Sequence, residues 1–346
     1  MKRLTPTERE HLLSRLAERY ELRLPILLPD GTRTIGSPDD GPLALLGGAV
    51  PGKPTAAFFP QQEAIFTADH STFSQSPPPV KPLCILGFTP ADLHCLRFID
   101  RFFADGFRDD LYFRLRQGAV VAGISGYCGT GGALLSPAGG NCDFELFWSG
   151  ENWLVTAYGE IGTELVAELP DCTTVEEELV ARSITTEPDS GAILLQTASQ
   201  LLRTDRVPDT FWEEIGERCI ACTGCNLACP TCTCFGVLDW RSATTVERSR
   251  TWDSCQLDGF MREASGHNPL GSEALRSRRR IHHKLAADPR KWGEISCFRC
   301  GRCDATCPTG IGIMAVAREL VARFGCRLLV PGLGARDSIL HVNSRL

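Results

Sequence analysis

Eight cysteines in two matching motifs are the residues of this chain with the clearest chemical meaning. The first motif spans residues 219–229 and the second spans residues 297–307; both have the spacing C-x2-C-x2-C-x3-C and are followed by proline. This is the spacing that holds [4Fe–4S] clusters, because three thiolates two residues apart wrap one face of the cube. Proline after the fourth cysteine fixes φ where the chain turns away.

The fourth cysteine of each motif indicates which residues share a cluster. It lies too far around to reach the same cube and points towards the neighbouring one. The sequence therefore predicts one [4Fe–4S] cluster on Cys219, Cys222, Cys225 and Cys307, and another on Cys297, Cys300, Cys303 and Cys229. We name these the first cysteine set and the second cysteine set. Crossed ligation of this kind holds two clusters close together, as fast electron transfer requires.

A pair of structural zinc sites, in a zinc-stabilised interaction module, is the alternative for the same cysteines. Tetrahedral zinc also favours Cys-x-x-Cys pairs. Zinc needs only two such pairs per ion, so it leaves the third cysteine of each motif and the repeated Cys-Pro unexplained. The pattern favours iron–sulfur clusters.

The remaining cysteines have less specific spacing. Cys232, Cys234 and Cys255 could ligate a further metal centre or contact the first cluster through S–H groups, or they could be buried thiols. Cys128 lies in a glycine-rich loop that follows a predicted strand, where turn chemistry is a simpler interpretation than a cofactor site. We expect the scattered cysteines to be core residues: Cys84, Cys95, Cys142, Cys172 and Cys326.

Composition favours a protein that binds metal over one held by disulfides. Seventeen of the 346 residues are cysteine, and the net charge is −6. Residues 1–20 carry charges throughout and lack the apolar stretch of a signal peptide, and no apolar run approaches membrane-spanning length. We therefore expect a cytosolic chain without membrane association, where disulfides are rare and clustered cysteines bind metal.

A basic run over residues 276–284 is the one local departure from the acidic balance. With a single run and no interleaved aromatic residues, nucleic-acid binding is not expected. We interpret the run as a solvated helix face or a docking surface for an acidic partner. Positive charge close to anionic clusters would also favour their reduced state. His282 and His283 have no metal-ligand spacing and are interpreted as ordinary polar residues.

The elements that must position these cysteines divide the chain in two. Residues 1–208 read as an α/β or α+β domain, with helices beginning after Thr5 and Thr89 and strands over residues 24–28, 56–59, 83–87 and 118–124. Residues 209–346 read as a mainly helical, ferredoxin-like dicluster domain. Residues 314–324 form its clearest amphipathic helix.

The chain resembles the β subunit of sulfhydrogenases and the related iron–sulfur subunit of anaerobic sulfite reductase. The resemblance is carried by residues 219–234, 250–255, 266–269 and 297–308 and by the Arg-rich segment that ends at His283 and Lys284, and residues 58–66 and 86–103 extend it upstream. The resemblance implies [4Fe–4S] clusters on the eight cysteines and a position between a flavin/NAD(P)H-binding subunit and a catalytic subunit. Only Cys128 precedes the Gly-Thr-Gly loop where relatives often have more cysteines, so a metal role of the N-terminal domain is not implied.

These observations predict an electron-transfer subunit of a multi-subunit oxidoreductase, of the hydrogenase or sulfur-reductase type. No Ser-His-Asp set, paired general acid and base, or phosphate-binding loop stands out, so no active site of its own is expected. Two alternatives remain at this point. One is the iron–sulfur subunit of an anaerobic sulfite reductase, and the other is a self-contained iron–sulfur enzyme with a substrate site near Cys128.

Overall fold

A computed structural model describes residues 1–75, 79–184, 189–204 and 207–325 of the chain. Cys326, one of the predicted core cysteines, lies outside the described residues. The strands are β1 (Lys2–Leu4), β2 (Glu21–Leu27), β3 (Arg33–Gly36), β4 (Gln62–Asp69), β5 (Phe73–Gln75), β6 (Leu83–Phe88), β7 (Val120–Gly126), β8 (Phe144–Trp148), β9 (Trp153–Ala157), β10 (Phe235–Arg241) and β11 (Thr245–Trp252).

The α-helices of the described residues alternate with these strands at first and then dominate. They are α1 (Pro6–Arg19), α2 (Pro90–Ala104), α3 (Asp110–Arg116), α4 (Gly159–Val166), α5 (Thr174–Arg182), α6 (Ser190–Arg203), α7 (Asp209–Arg218), α8 (Gly224–Leu227), α9 (Glu273–His282), α10 (Asp288–Trp292), α11 (Arg302–Thr306) and α12 (Ile313–Phe324). A π-helical turn, His283–Ala287, joins α9 to α10. None of the helices in the described ranges is long and apolar enough to cross a membrane.

A seven-stranded sheet organises the N-terminal half, in the order β1-β9-β8-β7-β6-β2-β3. Strands β2, β6, β7 and β8 run parallel, and the pairs at both edges are antiparallel. Every residue of β6 and β7 is buried, which explains why both strands read as continuous apolar runs. The predicted strands at 83–87 and 118–124 are therefore confirmed.

Two predicted helices of this half begin where their capping residues indicate. Thr5 and Thr89 are the N-caps of α1 and α2, and each forms a capping box with the acidic residue three positions later, Glu8 or Asp92. Proline follows each cap, where its missing N–H costs nothing. α2 then packs against β6 and β7, and its Phe98 also contacts Trp292 and Phe298 of the C-terminal half.

The predicted strand at residues 56–59 is wrong. Residues Pro54–Ala57 form a short 3-10 helix, and Phe58 and Phe59 that follow are fully buried. A short apolar run reads the same way for a buried strand and for a buried turn of helix. Pro54, at the first position of the turn, is the feature that favours a helix start.

A second sheet joins the two halves of the chain, in the order β10-β11-β4-β5. Strands β4 and β5 precede the predicted boundary at residue 208, while the β10–β11 hairpin follows it, and β4 pairs antiparallel with β11. The prediction of a mainly helical second half is therefore not confirmed. The sequence does not predict this hairpin, because β10 is largely exposed on both faces and lacks the apolar–polar alternation of a half-buried strand.

The helical core lies behind the two cysteine motifs. Helices α6, α7, α9 and α12 bury one cluster of side chains that includes Leu195, Phe211, Ile281 and Leu320. The amphipathic helix predicted at 314–324 is confirmed as α12. Helix α6 precedes residue 208 and packs in this core, so the contacts cross the predicted domain boundary, which stays a prediction.

Candidate metal centres

Both cysteine motifs adopt the same uncommon backbone conformation. Ala221 and Thr223 flank Cys222 with φ of 53° and 63°, and Arg299 and Gly301 flank Cys300 with φ of 56° and 78°. Non-glycine residues rarely adopt left-handed conformations, at a cost of about 1–2 kcal/mol each. Such strain is concentrated at functional sites. In each motif the turn leads into a short helix that contains the third cysteine, Cys225 in α8 and Cys303 in α11.

The eight cysteines are distributed around two cavities. The first cavity is lined by the first cysteine set: Cys219, Cys222, Cys225 and Cys307. The second cavity is lined by the second cysteine set: Cys229, Cys297, Cys300 and Cys303. The fourth cysteine of each motif thus lies with the three cysteines of the other motif. This grouping follows the crossed pattern expected from the spacing, while the ligand assignment itself stays a prediction.

The two motifs meet through their short helices. Gly224, at the start of α8, approaches Thr306 of α11 so closely that a Cβ on this glycine would lie 2.7 Å from the Thr306 Cγ2. A larger residue at position 224 would push the two helices apart. The contact explains how the fourth cysteine at the end of each helix reaches the other motif's cavity.

The donors and walls of both cavities fit an iron–sulfur cluster. Among the described residues, no group of three His, Cys, Asp or Glu side chains converges on a point where one metal ion could bind. A cubane does not require convergence, because each of its four irons takes one thiolate. Apolar residues, including Ile215, Ile281, Ile311 and Val316, complete the wall of the first cavity.

One face of the basic run is buried, and two of its residues, Arg280 and Lys284, line the cavities. The interpretation of the run as a solvated face or docking surface is therefore wrong for three of its members. Arg276, Arg280 and Lys284 are spaced four residues apart and are only 3–5% exposed. Residues four apart share one helix face, and this face points inwards. Arg279, one position from Arg280, is exposed. The local sequence gives the charge of this helix face, but it does not show whether the face points towards solvent or towards the protein interior.

Thiols of both motifs raise the pKa values of Arg280 and Lys284. Burial by itself lowers the pKa of Arg280, but Cys225 and Cys303 together with other thiols raise that pKa well above its ordinary value. Burial opposes the charge of Lys284 in the same way, and Cys229, Cys232 and Cys297 raise its pKa. Both side chains therefore stay cationic inside the protein.

Asn226 links the first motif to this cationic face and to Cys255. Its amide nitrogen donates to the Ser254 Oγ and to the Cys255 Sγ, each at 3.0 Å. Its carbonyl oxygen accepts from the Arg280 Nε at 3.1 Å. Asn226 is buried, and all of these partners are buried as well. The spacing of the cysteines contains no signal for this residue, which sequence reasoning missed.

The three additional cysteines form pairs. Cys234 donates a hydrogen bond to Cys255, which lowers the pKa of Cys255 to about 5, with help from Asn226 and against the effect of burial. Cys232 lies beside Cys229 and lowers the pKa of that thiol, while the Cys232 Sγ donates to the Asn226 Oδ1 at 3.8 Å. Each of these cysteines thus has a thiol partner, and a further metal centre on them stays a prediction.

The N-terminal half closes the second cavity. Cys95 of α2 is 2% exposed and lines that cavity together with the second cysteine set. The burial of Cys95 confirms its predicted place in the core, but its position beside the motif cysteines has no signal in the sequence. Lys53 donates to the carbonyl oxygen of Cys232, and Thr55 donates to that of Pro230 at 3.0 Å. Residues far apart in sequence therefore seal the site.

The other scattered cysteines lie away from the cavities. Cys84 is fully buried in β6, and Cys142 and Cys172 are partly buried. The thiol of Cys128 is buried and donates to the Ser125 carbonyl oxygen at 3.2 Å, and burial raises its pKa to about 11. This environment agrees with turn chemistry and does not favour a reactive site at Cys128.

Comparison with known proteins agrees with this geometry. Residues 218–311 match the family model of a 4Fe-4S dicluster domain. The chain is 29% identical over 246 residues to sulfhydrogenase 2 subunit beta of Pyrococcus furiosus, a region that covers 68% of this chain and 73% of that protein. No solved structure matches the chain significantly.

These matches confirm the resemblance to the β subunit of sulfhydrogenases and the prediction of a [4Fe–4S] protein that transfers electrons.

Proposed function

We propose that this chain is an electron-transfer subunit of a cytosolic multi-subunit oxidoreductase of the hydrogenase or sulfur-reductase type. It relays electrons between a flavin/NAD(P)H-binding subunit and a catalytic subunit. Each cysteine set holds one [4Fe–4S] cluster, and each cluster, when bound, takes up and releases one electron. The chain itself fixes the spacing of the clusters, keeps water from them and supplies the charges around them.

The observation that carries this proposal is the distribution of the eight cysteines around two cavities that share Arg280 in their walls. A shared wall residue means that the two sites are neighbours, as a relay needs. The name of the Pyrococcus furiosus relative, a sulfhydrogenase subunit, supports a role within a complex.

The first cysteine set provides a contact point with a partner. Cys222 is exposed, and Ile220 beside it is 62% exposed. The second set has no exposed member. We propose that one partner subunit exchanges electrons at the surface around Cys222.

Anaerobic purification of the chain tests the proposal. We expect a brown protein with about eight iron and eight sulfide per chain and two paramagnetic signals after reduction. A colourless protein that contains zinc and no sulfide would reject it in favour of the interaction module. Purification of the intact complex then identifies the partners: a hydrogenase subunit supports the leading proposal, and a sirohaem subunit supports the sulfite reductase alternative.

A further inference from the structure

We propose that Arg280 is an electrostatic bridge between the two cluster sites, which raises the reduction potential of both clusters and weakens the repulsion between them when both are reduced. This inference rests on the proposed function, because it requires a cluster in each cysteine set. Arg280 acts through its position and charge, so it is a positioning residue.

Its location supports a role at both sites. Arg280 is the one cationic residue that lines both cavities within the described part of the chain. The last turn of α9 directs it between the motifs, where it is 5% exposed. Lys284, one turn later, lines the second cavity and not the first. Arg280 therefore lies next to both cluster sites, whereas Lys284 lies next to only one of them.

The hydrogen bonding of Arg280 leaves part of its guanidinium for a ligand. Its Nε donates to Asn226, but its buried Nη2 has no hydrogen-bond partner among the described residues. A buried donor without a partner is costly, and such groups call for a bound group or a functional explanation. An anionic cluster in either cavity provides an acceptor for it.

Charge gives the sign of the effect. A cluster gains negative charge when it is reduced, so a nearby buried cation stabilises the reduced form more than the oxidised form. Water screens little of this interaction in a buried site. A cation between two clusters also offsets the repulsion that a second electron experiences from the first.

Lys284 and Arg279 provide matched comparisons. The Lys284 Nζ donates to the Thr231 Oγ1 at 2.7 Å, close to the second set alone. Arg279 has the same charge as Arg280 on the same helix but is exposed. Substitution of Arg280, Lys284 or Arg279 therefore removes a charge that lies at both sites, at one site or in solvent, respectively.

The test is a redox titration of the purified holoprotein, monitored by electron paramagnetic resonance. We expect Arg280→Gln to lower both midpoint potentials by at least a tenfold change in the reduction equilibrium, about 59 mV for one electron. Lys284→Gln should lower one potential, and Arg279→Gln should leave both unchanged. Arg280→Lys, which retains the charge, should keep both potentials above those of Arg280→Gln.

Two results would overturn the inference: potentials that do not change in Arg280→Gln, or a change only in the potential that Lys284→Gln also lowers. If Arg280→Gln fails to assemble its clusters, Arg280→Met replaces it, because it removes the charge and keeps a flexible, unbranched side chain. Both potentials should then lie below those of Arg280→Lys, and potentials equal to those of Arg280→Lys would reject the bridge. Unmodified protein without iron and sulfide would reject the proposed function itself, which is a distinguishable outcome.

Discussion

Arg302 of the second cysteine motif forms a buried, bidentate ion pair with Asp92 of α2. The Arg302 Nη1 lies 2.5 Å from the Asp92 Oδ1, the Nη2 lies 3.1 Å from the Oδ2, and neither side chain is more than 3% exposed. The Arg302 Nε also donates to the Val50 carbonyl oxygen at 2.8 Å. This pair joins the N-terminal half to the turn that carries Cys300 and Cys303.

We expect Arg302→Met to destabilise the protein by about 3–5 kcal/mol, because it leaves the Asp92 carboxylate buried without its cationic partner. A fall in the thermal unfolding midpoint measures this effect. The exposed pair Arg218–Glu319 provides the control, since Arg218→Gln should cost less than about 1 kcal/mol. Equal costs for the two variants would show that the Arg302–Asp92 pair does not hold the halves together.

Crossed ligation predicts which variants resemble each other. Cys307→Ser should damage the same cluster as Cys219→Ser, because both residues line the first cavity. Cys229→Ser should reproduce the spectrum of Cys297→Ser for the second cavity. Paramagnetic spectra and iron content of the four variants provide the measurement. A match between Cys307→Ser and Cys297→Ser would show that each motif holds its own cluster.

Exposure predicts that iron chelators reach the first cluster sooner. Cys222 is exposed, whereas α2 covers the second site and inserts Cys95 into its wall. In Cys297→Ser, which retains the first cluster, visible absorbance should fall several-fold faster with chelator than in Cys219→Ser, which retains the second.

Removal of the covering thiol provides the second half of this test. Cys95→Ala, combined with Cys219→Ser, should accelerate loss of the remaining cluster because it opens the wall. Equal rates in all three proteins would mean that α2 does not protect the second site.

Buried thiols outside the motifs should resist alkylation. Burial raises the pKa of Cys84 to about 12 from its ordinary value of 9.0. Alkylation needs the thiolate, so the folded protein should hold Cys84 unreactive at pH 9. Cys172, which is less buried and has a smaller increase in pKa, is the internal comparison.

Iodoacetamide labelling followed by peptide mass spectrometry measures both sites in one sample. Cys172 should label first at pH 9, and Cys84 should label only after denaturant is added. Labelling of Cys84 at the rate of Cys172 in folded protein would contradict the burial of β6.

Local spacing was enough to identify the eight motif cysteines and three of the helices, α1, α2 and α12. The cysteines of a cluster motif lie within one turn and one short helix. The spacing of consecutive residues therefore determines the geometry that the cluster requires. Capping boxes at Thr5 and Thr89 are local in the same sense. The apolar runs of β6 and β7 were recognisable because both faces of those strands are buried.

Tertiary structure alone decided what surrounds the cysteines. The pairing of β4 with β11 joins strands more than a hundred residues apart, and no periodicity in either strand specifies its partner. Cys95 and Arg280 have ordinary local contexts and reach the cavities only because α2 and α9 pack against the motifs. Sequence records which side chains a helix has, whereas burial and charge environment depend on which surface packs against that helix.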